Sequence, residues 1–106
     1  MSIGTTSQLS LHRIESPMFG TFHRASSPGS PSLVEIGDTV AAGHTVCLLE
    51  AMMLMNEVKS EIDGIVYAIH VDNGDPVEFG QLLFELEPVY GPLVAIAASQ
   101  PEKATA

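Results

Sequence analysis

Gly37-Asp38-Thr39-Val40-Ala41-Ala42-Gly43-His44-Thr45-Val46-Cys47-Leu48-Leu49-Glu50 returns 37 residues later as Gly74-Asp75-Pro76-Val77-Glu78-Phe79-Gly80-Gln81-Leu82-Leu83-Phe84-Glu85-Leu86-Glu87. Seven positions match in register, so G-D-x-V-x-x-G-x-x-(V/L)-x-x-L-E occurs twice in a chain of 106 residues. Each copy has a readable physics. Gly-Asp supplies a tight turn where positive φ is cheap. A short strand follows around Val40 or Val77, the second glycine marks another turn, and an apolar strand closes the copy at Thr45–Leu49 or Leu82–Leu86. Short strands cut by frequent turn signals predict an all-β sandwich or barrel.

The repeat extends upstream. Pro17-Met18-Phe19-Gly20-Thr21-Phe22 aligns with Ile62-Asp63-Gly64-Ile65-Val66-Tyr67 on Gly20 and Gly64, an offset of 44, so the first half carries seven more residues than the second. They fall in Arg24-Ala25-Ser26-Ser27-Pro28-Gly29-Ser30-Pro31-Ser32, a Pro/Ser/Gly-rich stretch that reads as a loop protruding from one half of a two-fold-symmetric barrel. A tolerated surface insertion explains such a loop equally well, since loops lengthen at little thermodynamic cost.

One segment opposes this pattern. Leu48 to Lys59 is rich in helix formers and, taken alone, reads as a helix. The repeat requires otherwise: Glu50 aligns with Glu87, which is followed by Pro88, so a strand ends near Glu50 and a second runs back over Asn56–Ser60. The hairpin tip between them is Ala51, Met52, Met53 and Leu54, followed by Met55. Turns favour Gly, Asn, Asp and Pro, so this composition is chemically unusual. Met52 and Met55 are expected to fold back as core filling; a residue at the very tip is less suited to that role.

Composition narrows the function classes. The formal charge is −9, with Arg13, Arg24, Lys59 and Lys103 the only Lys or Arg residues, which disfavours nucleic acid and acidic membrane surfaces. No apolar run reaches the roughly 18 residues of a membrane span. The start has no secretory signal pattern, and the single Cys47 cannot form an internal disulfide, so a cytoplasmic protein is expected. His12, His23, His44 and His70 lack metal-ligand spacing and no metal is expected. Cys47 reads as a small buried hydrophobe, and no nucleophile–base order stands out.

Glu50-Ala51-Met52-Met53-Leu54-Met55-Asn56-Glu57 resembles the biotinylation motif of biotin carboxyl carrier proteins, E-A-M-K-(L/M)-M-N. Ser16-Pro17-Met18-Phe19-Gly20-Thr21-Phe22 and Gly74-Asp75-Pro76-Val77-Glu78-Phe79-Gly80-Gln81 resemble the opening and closing segments of the acetyl-CoA carboxylase carrier domain. The resemblance covers about residues 16–88, with 1–15 as an N-terminal extension and 89–106 as an apolar, then disordered, tail. It implies a flattened barrel of two four-stranded antiparallel sheets with pseudo-two-fold symmetry. It also implies a thumb at Arg24–Ser32, and a tip that displays the attachment lysine. Lipoyl domains share that fold but usually carry D-K-A at the tip.

Met53 stands where the resemblance places lysine. A biotin ligase joins biotin to an amine, and a thioether offers none, so the expectation is a domain without a cofactor, with covalent biotin excluded at Met53. No catalytic residue can be named. Three functions stay open: a non-carrying paralogue that binds a carboxylase subunit or other enzyme, a barrel repurposed for a hydrophobic small molecule in biosynthesis, or an acetyl-CoA carboxylase carrier altered at its lysine.

Overall fold

Gly37 and Gly74 adopt positive φ, 96° and 92°, so both copies of the repeat begin on the same left-handed turn. The aspartate after each glycine secures it: the Asp38 carboxylate accepts from the Glu35 amide at 2.9 Å, and the Asp75 carboxylate from the Asp72 amide at 3.2 Å. The computed structural model describes residues 10–89. These form β1 (His12–Glu15), β2 (Gly20–His23), β3 (Thr39–Val40), β4 (Thr45–Ala51), β5 (Leu54–Lys59), β6 (Gly64–Ile69), β7 (Pro76–Val77) and β8 (Leu82–Pro88). The first strand begins four residues ahead of Ser16, where the carrier-like domain was expected to start.

The strands make two four-stranded antiparallel sheets, ordered β1-β8-β6-β3 and β5-β4-β2-β7. Exchanging the two halves of the repeat turns one order into the other. Each sheet therefore takes two strands from each half, and neither half could bury its apolar face alone. The expected flattened barrel with internal two-fold symmetry is the observed architecture.

The segment with helix-forming composition is a hairpin. Six residue pairs, from Thr45↔Lys59 to Ala51↔Leu54, zip β4 to β5. Leu49 and Val58 enter the core from this hairpin, so burial on the sheet face overrides helix propensity. Val46 and Cys47 both enter the core because the β4–β5 register shifts between Thr45 and Cys47, leaving Val46 as the extra residue of a bulge; Leu49 follows by alternation, while Leu48 is covered without joining the core cluster. The symmetry mate Leu83 sits in the same kind of shift, between Leu82 and Phe84 against β1.

The core joins Phe22, Phe84, Leu49, Leu83, Leu86, Val46, Val66 and Cys47, all almost fully buried. Phe22 and Phe84 meet with ring centroids 5.8 Å apart, while their symmetry mates are the smaller Val66 and Cys47. Each pair of symmetry mates thus combines one large side chain with one small one in a shared core. Burial pushes the Cys47 thiol up to about 12, as befits a side chain that packs as a hydrophobe.

Two buried serines lock the halves together. Ser16 Oγ donates to the Met18 carbonyl at 2.6 Å and Ser60 Oγ to the Ile62 carbonyl at 2.7 Å. Their backbone carbonyls accept from the amides of Gly80 and Gly43, at 2.8 and 2.7 Å. Each serine thus ties the strand of one half to the second glycine turn of a repeat copy, with its polar atoms satisfied.

Candidate functional site: the methionine hairpin tip

Because Ala51 and Leu54 form the last cross-strand pair, the turn consists of two residues, Met52 and Met53. It is narrower than the four-residue tip expected from the sequence. Both methionines have positive φ, 53° and 66°, the pattern of a type I′ turn. That turn matches strand twist, but a left-handed conformation costs a non-glycine residue roughly 1–2 kcal/mol. Asn-Gly would relieve that cost, so the turn retains two methionines against local preference.

The tip side chains stand in solvent. Met52 is 89% exposed and Met53 94%. Leu54 and Met55 are exposed as well. The expectation that Met52 and Met55 fill the core is therefore corrected. Strand alternation explains Met55, which lies opposite Glu50 while the neighbouring pair, Leu49 and Asn56, sends Leu49 into the core. Asn56 braces the hairpin by donating to the Leu49 carbonyl at 3.2 Å.

Arg24–Ser32 forms a loop anchored at its stem. The Leu33 amide donates to the Arg24 carbonyl at 2.7 Å, the Arg24 amide donates to Asn73 Oδ1 at 2.8 Å, and the Arg24 guanidinium reaches the Val34 carbonyl and the Glu35 carboxylate at 2.9 and 3.0 Å. Farther out, Ser27 and Ser30 bond to each other at 2.7 Å. The loop, His23 and Asn73 enclose a cleft of about 480 Å³ with Met55 in its wall, so the loop leans toward the hairpin. His23 Nε2 and Glu50 Oε1 lie 2.9 Å apart and link β2 to β4 at the cleft's edge. A second cleft, about 660 Å³, runs on the other flank of the tip past Phe19, Met52, Pro76 and Phe79. Its two phenylalanines are exposed, and each lies in a segment that resembles the carrier domain, where hydrophobicity alone does not mark it as a surface residue.

The chemistry at the turn is that of thioethers. Lys59, the lysine among the described residues, pairs with Thr45 at the far end of β5, five strand residues from Leu54 or about 16 Å at roughly 3.3 Å per residue. Among the described residues no three His, Cys, Asp or Glu side chains gather as a metal would need. The apolar tail lies outside the described residues beyond Val89, whose amide donates to the Asp63 carbonyl at 3.0 Å.

Residues 12–86 match the family described as "Biotin-requiring enzyme". The biotin carboxyl carrier protein of acetyl-CoA carboxylase from Nostoc is 49% identical over 78 residues, 74% of this chain and 43% of that protein. Its counterpart from Pseudomonas aeruginosa is 48% identical over 73 residues, 69% of this chain and 47% of that protein. The chain thus spans under half the length of these relatives. Urea carboxylase from Kluyveromyces lactis superposes with a TM-score of 0.60 at 31% identity, covering 73% of this chain and 6% of that one. An aspartoacylase family protein from Mesorhizobium loti shares the fold at 22% identity and a TM-score of 0.54.

These similarities correct the expectation of a domain without a cofactor. A chain matched from residue 12 to residue 86 by a family described as biotin-requiring, with carrier-protein relatives, is tied to biotin. The donor set at the turn is a separate observation. Met52 and Met53 are thioethers and themselves supply no amine.

Proposed function

Since the chain belongs to the biotin/lipoyl family of biotin-requiring enzymes, we propose that it is a carrier-like domain of an acetyl-CoA-carboxylase-type system that works by docking. Its methionine tip engages a protein partner, and biotin is the cofactor of the system it serves. Met53 takes the position at which carriers present their attachment residue, and the thumb-like loop Arg24–Ser32 frames one side of the contact.

One observation carries this reading: two non-glycine residues hold a left-handed turn while projecting their side chains into solvent. A methionine pair kept there against local preference has a use outside the fold. Burying one methionine on a partner is worth about 1.5–3 kcal/mol, enough for an anchor. The hydrophobic small-molecule reading has less support. It would seat Met53 in a cavity wall, whereas 94% of this residue is exposed.

The partner tested is the purified biotin carboxylase component of acetyl-CoA carboxylase, titrated with the full chain by calorimetry. Saturable binding that Met53→Asp weakens at least tenfold, with a urea midpoint no lower than that of the unaltered chain, supports the reading. Absence of binding, or equal binding by Met53→Asp, overturns it.

A further inference from the structure

Phe19 and Phe79 are 69% and 78% exposed, yet each has an internal control, because the repeat places a second residue at the same position of the other half. The mate of Phe19 is Asp63 and that of Phe79 is Ala42. Asp63 and Ala42 line the symmetry-related cleft, of about 450 Å³, and the same strands and turns form around them. There the Ala42 amide donates to Asp63 Oδ1 at 2.8 Å, so the same corner of the fold is held by a hydrogen bond and forms without an aromatic ring at either position. An exposed phenylalanine keeps apolar surface in water without contributing to the core.

From this asymmetry we propose that Phe19, Phe79 and Met52 form a second docking groove, on the flank of the hairpin away from the loop, for a protein segment with an apolar centre and flanking Lys or Arg side chains. The inference rests on the docking reading above and specifies the partner's chemistry. The groove holds about 660 Å³, room for one or two apolar side chains. It shares no lining residue with the loop cleft.

Charge selects the occupant. Glu50 and Glu78 line the groove, no Lys or Arg does, and the whole chain carries −9. A basic rim on the partner would neutralise both carboxylates and accelerate encounter. A second copy of this chain would bring the same two carboxylates and another −9, so self-association through the groove is opposed.

Two measurements test the groove. The first repeats the titration with the biotin carboxylase component using Phe19→Ala/Phe79→Ala, with Ala42→Glu as the symmetry-related control. The expected result is a tenfold or greater loss of affinity for the double variant, none for the control, and a urea midpoint for the double variant like that of the unaltered chain. Equal affinity overturns the groove while leaving the tip reading intact. So does a large fall in the urea midpoint, because the rings would then serve the fold. If the unaltered chain fails to bind the component, the tip reading fails and the second measurement decides the groove. In it, two synthetic peptides with the same Leu-Phe-Leu centre, one flanked by lysines and one by glutamates, are titrated into the labelled chain and followed by NMR. The lysine peptide is expected to shift Phe19, Phe79 and Met52 signals, with a shift that fades as salt rises. Equal shifts from both peptides, or none at these residues, overturn the proposal.

Discussion

A Cβ added to Gly20 would stand 2.8 Å from the carbonyl oxygen of Glu50, and its symmetry mate on Gly64 would stand 3.0 Å from that of Glu87. The two halves thus repeat a close backbone approach as well as a sequence. In both places the obstacle is main chain in a sheet, which cannot yield as a flexible side chain can. Gly20→Ala is expected to destabilise the domain by about 1–3 kcal/mol, and Gly64→Ala by a similar or smaller amount. Urea denaturation checks both. A neutral Gly20→Ala would show that β2 and β4 can separate without cost.

The turn should respond in the opposite direction. Met52→Asn together with Met53→Gly places the preferred type I′ residues at φ values that disfavour methionine. The pair is expected to gain about 1 kcal/mol, or roughly 4–8 °C in Tm for a domain of this size. The same variant should lose affinity for the partner, because the anchor has gone. Gain of stability with loss of binding is the usual signature of a site held against local preference.

Alkaline pH reads the Cys47 environment. Folding raises the thiol from 9.0 to about 12 through burial, so above pH 9 the unfolded chain releases a proton that the folded chain keeps. Stability contributed by this group is complete below about pH 9. It then falls by about 1.4 kcal/mol per pH unit toward pH 12. Cys47→Ala should cost stability at neutral pH by leaving a cavity, yet lose stability less steeply between pH 9 and 11. Parallel slopes for the two proteins would place the thiol in contact with water.

Much of this was legible because the repeat constrains more than any single segment does. Aligning Glu50 with Glu87 was enough to turn a helix-like stretch into a hairpin, and aligning Gly20 with Gly64 isolated the loop at Arg24–Ser32. Other features left no usable trace. Val46 and Leu83 sit in apolar runs, where a bulge residue looks like any other. The width of the tip is hidden because left-handed turns are recognised by Gly or Asn, and Met52-Met53 has neither. Hydrophobicity places Met52 and Met55 inside, and it cannot distinguish a core residue from an exposed apolar side chain. Two further signals lie in the sequence itself. Ser16 and Ser60 share the offset of 44, and the same alignment sets Phe19 against Asp63.

Position 53 decides how this domain relates to the carrier family, and mass spectrometry tests it most directly. Met53→Lys, co-expressed with a biotin ligase and an excess of biotin, is expected to gain the mass of one biotinyl group, located at residue 53 by peptide mapping. The unaltered chain, carried through the same experiment, shows whether biotin reaches any other residue. A well-folded Met53→Lys protein that gains no biotin at residue 53 would contradict the assignment of this turn as the carrier family's attachment position.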